Sequence, residues 1–181
     1  AGGFEVGMDC PNDRYVNDEA ICQATVSMLA KVGIKVNLLA QPKAKYFPKV
    51  LAPNLEVSFY LLGWTPGSLD SWNVLYNLHG CPRVADGAPI WNKADRNKIS
   101  SGKFNLGGYC NEEVDALSAK VLSETDAGTR DQLIESAFAK TIGDIAYIPL
   151  HQQALAWGVR SGVTLKQRAD NQFKWRFVNI N

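Results

Sequence analysis

The chain is short of the residues on which most catalytic and metal chemistry rests. Its 181 residues include only 2 histidines, His79 and His151, and 4 cysteines, Cys10, Cys22, Cys81 and Cys110. No two cysteines form a Cys-x-x-Cys pair, and the histidines are too isolated to complete a familiar zinc spacing. The chain has no glycine-rich nucleotide loop and no Gly-x-Ser-x-Gly nucleophile elbow. Its apolar runs fall well short of the roughly 20 residues that a membrane helix needs. The first residues, Ala1-Gly2-Gly3, read as a processed terminus or a junction rather than a leader. An excess of one charge is missing too. The formal net charge is +1, with acids and bases interspersed. Nucleic acids and anionic membranes demand a basic face, so neither is expected as the main partner.

What is present describes a folded protein. A hydrophobic content of 46% can fill a core, and a charged content of 20% is ordinary. The length suits one domain, with or without an appendage. The even cysteine count favours two disulfides over free buried thiols, and hence a periplasm or cell exterior. Local pairing, Cys10–Cys22 and Cys81–Cys110, is the simplest of the three possible connectivities. Each loop would then stabilise the fold by about 3 kcal/mol in the chain-entropy treatment.

The pattern along the chain is α/β. Phe4, Val6, Met8 and Cys10 alternate with polar or small residues, which is a strand signature. Asn17 is placed to cap a helix with Asp18 and Glu19 in its first turn. Ile21, Thr25, Met28, Leu29 and Val32 follow at helical spacing, and Gly33 suits the helix end. Ile34–Leu39 resumes as a strand, so the unit reads as a parallel pair with a helical crossover. A short helix is expected over 44–51, weakened by Pro48. Val57–Leu62 is nearly all apolar and reads as a strand covered on both faces. Residues 69–78 are ambiguous. Residues 80–108, rich in Gly, Pro, Asn and Lys, read as a long excursion, which a Cys81–Cys110 bridge would tie at its ends. Asn111 caps the next helix, with Val114, Leu117, Val121 and Leu122 as its stripe. Thr125 or Asp126 opens another, with Leu133, Ile134, Ala137, Phe138 and Ile142 inward and Gly143 at its end. Tyr147–Leu150 begins a strand that can run to Trp157. Phe173, Trp175 and Phe177 alternate with Lys174 and Arg176 as a last strand.

The site-like feature lies after Val57–Leu62. That strand delivers Gly63-Trp64 and the loop Thr65-Pro66-Gly67-Ser68-Leu69-Asp70, followed by Trp72. Strand ends that carry glycine-rich loops and aromatics are where α/β proteins present ligand surfaces.

Five segments in order resemble one family. They are Gly3-Phe4-Glu5-Val6 with Asn17-Asp18-Glu19-Ala20-Ile21; Leu29-Ala30-Lys31-Val32-Gly33-Ile34-Lys35-Val36; Leu62-Gly63-Trp64 with its loop to Trp72; Gly108-Tyr109-Cys110-Asn111-Glu112-Glu113-Val114-Asp115; and Ile148-Pro149-Leu150-His151-Gln152. They resemble the C-terminal lobe of the family 5 extracellular solute-binding proteins, which serve ABC importers for dipeptides, oligopeptides, nickel and related solutes. The resemblance implies a mixed sheet flanked by helices, forming one lobe of a two-lobed periplasmic-binding-protein fold of type II-like topology. Residues 1–158 would form that lobe, and 159–181 would return to an N-terminal lobe absent from this sequence. The implied partners are a peptide or other small solute and ABC permease subunits, with no cofactor, no nucleic acid and no membrane insertion. The dipeptide binders also carry a disulfide at a position similar to Cys81–Cys110.

The same resemblance assigns roles. Trp64 would pack on the ligand, with Thr65, Pro66, Gly67 and Ser68 offering backbone and hydroxyl hydrogen bonds. Asp70 is either a ligand for an ammonium or the cap of a helix beginning at Ser71. Peptide binders place their amine-binding aspartate about three residues after the tryptophan, where this chain has Gly67. Trp72 is a core residue or a second platform. Apart from the resemblance, Asn105 belongs either to a structural turn or to a loop lining the cleft mouth, and Arg14 is either a surface residue or a partner for a ligand carboxylate. Glu112 and Glu113 need no catalytic role, because a first turn favours carboxylates. Two rival readings are a small secreted α/β hydrolase using Asp70, His151 or a cysteine, and an interaction domain that pairs through Phe173–Phe177.

Overall fold

The structure is a computed structural model that describes residues 3–51, 56–84 and 99–180. The amino-terminal unit is the expected one. Strand β1 (Phe4–Pro11) leads through helix α1 (Asp18–Ala30) into strand β2 (Ile34–Gln41), and the strands pair in parallel from Phe4–Ile34 to Pro11–Gln41. Gly33 makes the turn between helix and strand with a φ of 83°, a conformation that costs glycine little. Helix α2 (Lys43–Val50) follows with Pro48 inside it. Strand β3 (Phe59–Tyr60) joins the other edge of β1, giving a parallel sheet of order β2-β1-β3.

Helix α3 (Ser71–Val74) widens into a π-helical turn over Leu75–His79. Strands β4 (Arg83–Val84) and β5 (Ile99–Ser101) pair antiparallel and close the excursion. The middle of that excursion, 85–98, lies outside the described residues. Helices α4 (Glu112–Ser123) and α5 (Ala127–Gly143) pack as a pair. Strands β6 (Val163–Leu165) and β7 (Val178–Ile180) form a short antiparallel ribbon near the end.

Among the described residues, three small cores hold these elements. Met8, Cys10, Cys22 and Val36 are buried between α1 and the sheet. Tyr46, Val50 and Leu106 form the second, and Leu75, Val121 and Ala137 the third. Both local disulfides are present, Cys10–Cys22 and Cys81–Cys110.

Capping largely follows chemistry. The side chains of Asp70, Asn111 and Asp126 accept hydrogen bonds from Trp72, Glu113 and Thr129 backbone N–H groups. Asn17 departs from expectation. It sits in the left-handed region with a φ of 57° and makes no side-chain cap. Asp18, the first residue of α1, instead ties down the turn ahead of the helix, its buried carboxylate accepting from the N–H groups of Arg14 and Tyr15 at 2.9 and 3.0 Å and from that of Glu19 at 2.9 Å.

Other expectations are corrected. The α1 stripe is rotated: Cys22, Val26 and Leu29 face the core, while Met28 and Val32 are exposed. Leu122 and Ile142 also face outward, because the α4–α5 seam closes on Val121 and Ala137. The apolar 57–62 segment is only half-buried, and its ladder to β1 is confined to Phe59 and Tyr60. Tyr147–Trp157 forms no strand, because no described strand lies alongside it. Phe173–Phe177 is not a strand either; Trp175–Phe177 is a 3-10 turn, and pairing begins at Val178.

Candidate functional site

The carboxyl ends of β1 and β3 come together in one place. The chain leaving β1 runs through Asn12-Asp13-Arg14-Tyr15, and the chain leaving β3 runs through Leu61-Leu62-Gly63-Trp64. Tyr15 joins them, its hydroxyl donating to the Gly63 carbonyl at 3.2 Å. The Tyr15 ring lies against Gly63, where an added Cβ would meet its Cε1 at 2.7 Å. The exposed Arg14 places its guanidinium 4.9 Å from the centroid of the same ring. The loop after Pro149 reaches this corner too, since Gln153 Oε1 accepts from Val16 N–H at 3.2 Å.

Trp64 is half-buried and anchored at one edge. Its indole N–H donates to Asn73 Oδ1 at 2.9 Å, and its ring lies 4.8 Å from that of Phe104. An indole tethered in this way keeps a fixed angle without being enclosed. Thr65, Gly67 and Ser68 are exposed, and Pro66 is half-buried. The turn is tight: Leu69 N–H donates to the Pro66 carbonyl at 3.0 Å, Ser68 Oγ accepts from Asp70 N–H at 3.3 Å, and Leu69 adopts a φ of 60°.

The remaining sequence candidates lie elsewhere. Asp70 receives two hydrogen bonds from Arg130 Nη2, both 2.9 Å, besides capping α3. Arg130 holds the Asp70 carboxyl below its ordinary pKa. The guanidinium also donates from Nε to the Val121 carbonyl at 3.0 Å, so Asp70 ties α3 to α4 and α5. Trp72 stacks on Tyr76 at 4.8 Å and packs on the Leu75–Val121–Ala137 core. It borders a cleft of about 180 Å³ with Tyr76, Gly80, Ser101, Asp115 and Ser118, a lining that Trp64 does not share. Asn105 is buried and knits its own loop: Nδ2 donates to the Gly80 and Tyr109 carbonyls at 2.9 and 2.6 Å, and Oδ1 accepts from Tyr109 N–H at 3.1 Å.

The structure therefore gathers Arg14, Gly63 and Trp64 and leaves Asp70, Trp72 and Asn105 in structural networks. It also adds residues that local pattern does not mark: Tyr15, Tyr46, Asn73 and Phe104. Burial raises the phenol pKa values of Tyr15, Tyr46 and Tyr60, which keeps all three as neutral hydrogen-bonding groups. Among the described residues no group of three or more His, Cys, Asp or Glu is arranged to hold a metal ion, and no helix is long and apolar enough to cross a membrane.

Comparison with solved structures gives this geometry a context. An oligopeptide-binding protein of Thermus thermophilus, solved with a pentapeptide, superposes with a TM-score of 0.68 at 20% identity, covering 93% of this chain and 28% of its own. The periplasmic binding protein DppA of Helicobacter pylori, in complex with the peptide STSA, gives 0.62 at 23% identity, covering 82% and 25%. A dipeptide-binding protein of Pseudoalteromonas sp. SM9913 with Met-Leu gives 0.59 at 21% identity, covering 80% and 25%. The chain has the fold of one part of these peptide-binding proteins. It spans only about a quarter of their length. No protein-family model and no curated protein sequence matches it.

Proposed function

We propose that the chain is the C-terminal lobe of a periplasmic solute-binding protein that captures a peptide or other small solute for an ABC permease. Residues 1–158 form the lobe, and 159–181 return toward an opposing lobe. Binding proteins of this kind close two lobes over a ligand, a population shift driven by contacts from both. The observation that carries the reading is Trp64. It stands four residues past the carboxyl end of parallel strand β3, tethered by Asn73 and half-exposed, in a fold shared with proteins solved holding peptides. A fixed aromatic face grips peptide planes and apolar side chains without demanding a sequence.

Charge narrows the solute further. Asp70 is committed to Arg130, and Gly67 offers no side chain. The 64–72 loop therefore has no uncommitted carboxylate for a ligand ammonium, while Arg14 is exposed at the same corner for a ligand carboxylate. The reading is tested on a protein that carries this chain together with an opposing lobe. Solute released from it by denaturation and identified by mass spectrometry is expected to be a peptide or similar small molecule, and Trp64→Ala is expected to lose it. Recovery of equal amounts from the protein and its Trp64→Ala variant would refute the role of Trp64.

A further inference from the structure

Trp64 stands beyond the reach of the β3 ladder, which ends at Tyr60. Something else must hold residues 61–64. Leu61 N–H still donates to the Asp9 carbonyl at 3.1 Å. In a parallel ladder, a residue whose N–H reaches residue 9 sends its own carbonyl to the N–H of residue 11. Residue 11 is Pro11, which has no N–H to give. The Leu61 carbonyl is instead met by the Tyr46 hydroxyl, at 2.7 Å, from fully buried Tyr46 on α2. The next carbonyl in the same alternation, that of Gly63, is met by the Tyr15 hydroxyl at 3.2 Å.

We propose that Tyr46 and Tyr15 are positioning residues for Trp64, their hydroxyls replacing the ladder bonds that β1 ceases to supply at Pro11. The two phenols hold alternate carbonyls of the segment that continues β3, at Leu61 and Gly63, so the indole leaves that segment at a set angle. Tyr15 does more. Its ring carries Arg14 on one side and meets the Gly63 backbone, so it also sets the distance between the cation and the indole. Glycine at 63 is required by this arrangement, because a Cβ there would collide with Tyr15. The functional meaning of the clamp rests on reading Trp64 as a ligand surface, but its test needs no ligand.

The chain is labelled with 5-fluorotryptophan, and the Trp64 fluorine resonance is assigned by its loss in Trp64→Phe. Tyr46→Phe and Tyr15→Phe keep the rings and remove only the hydroxyls. Each is expected to shift or broaden the Trp64 resonance while the other tryptophan signals stay. Ser136→Ala is the control, since it removes a hydroxyl that donates to the Gln132 carbonyl at 2.7 Å on the exposed face of α5. It is expected to leave Trp64 unmoved. Pro11→Ala restores a backbone donor, and adding it to Tyr46→Phe is expected to return the Trp64 signal toward its original position. An unchanged Trp64 signal in both Tyr→Phe variants, or an equal change in Ser136→Ala, overturns the proposal. So does failure of Pro11→Ala to alter the Tyr46→Phe spectrum. The outcomes separate from the binding reading: a moved signal supports the clamp even where Trp64→Ala keeps its solute, a result that ends the binding reading alone.

Discussion

Residues 3–144 and residues 145–180 both expose large apolar side chains, Val32 and Leu122 among them in the first, yet only the first also buries a set of them completely. In the first region Cys10, Tyr46, Val50, Leu75, Val114 and Val121 are fully buried. In the second, Ile148, Leu150, Trp157 and Val159 lie open, Trp175 is 80% exposed and Ile180 85%. The presence of apolar residues is therefore not what separates them. The first region has partners for its faces: α1 covers the sheet, and α4 and α5 close on the π-helical turn. The second has a short ribbon and local aromatic contacts, Trp157 with Phe173 and Phe173 with Trp175. An isolated two-stranded ribbon is marginal in water. The proposed return of 159–181 to a second lobe would give these side chains a partner.

The sharpest way to test the contrast is to cut a staple in the packed region. Cys81 and Cys110 are 29 residues apart, and their bond encloses the whole excursion. Loop-closure entropy predicts that Cys81→Ser with Cys110→Ser lowers the unfolding free energy by about 3.5 kcal/mol. The Cys10–Cys22 bond, with a separation of 12, should contribute about 3 kcal/mol. Urea unfolding of the oxidised chain and of each double serine variant reads both numbers. Equal midpoints in all three would mean that packing alone holds this region and that the bonds add nothing to it.

A smaller effect tests the seam where the two regions touch. His79 is buried on the π-helical turn, stacked 5.0 Å from Tyr147 and edge-on to Phe138 at 5.6 Å. Tyr147 in turn donates to the Leu78 carbonyl at 2.6 Å. Burial lowers the His79 pKa from 6.5 to about 4, and its Nδ1 has no hydrogen-bond partner. The folded state therefore holds His79 neutral where the unfolded chain would take up a proton. The contribution is complete above pH 6.5 and is lost as pH falls from there through about 4. His79→Leu should lose less stability than the unaltered chain between about pH 7.5 and about pH 4.5, read as the change in urea midpoint. Identical losses would show that water reaches the imidazole and that the seam is open.

The first region was legible because its signals are local. Alternation in 4–10, the glycine at 33 and capping side chains at 70, 111 and 126 act within a few residues of themselves, and each appears where the pattern placed it. What local pattern missed is set by distance along the chain. Arg130 claims Asp70 from 60 residues away, and Tyr46 reaches Leu61 across 15. Neither partner is marked by its neighbours in sequence. Pro11 is a local signal of the missing bond: a proline at the end of a sheet strand means that an adjacent carbonyl needs another donor. The alternation of Phe173, Trp175 and Phe177 misled for the opposite reason. Period two is a strand only where a strand lies beside it, and here the chain turns at Trp175 before pairing starts at Val178.

The smallest expected effect discriminates best between the two regions. Replacing a large aromatic with alanine in a core costs about 3–5 kcal/mol, from lost transfer energy and the cavity left behind. Trp175 has little burial to lose, its indole being 80% exposed, and its described ring contact is the edge-on one with Phe173 at 4.8 Å. Trp175→Ala should therefore change the unfolding free energy of the 181-residue chain by no more than about 0.5 kcal/mol. The same substitution in a longer protein, where 159–181 meet an opposing lobe, should cost several times that, because the indole then leaves a packed surface. The comparison is a pair of urea titrations. A large loss in the short chain would show that Trp175 already packs on residues 3–144 and that the exposed tail is not a free surface. A small loss in both proteins would remove the opposing lobe as its partner and leave the aromatic tail without a reason to be apolar.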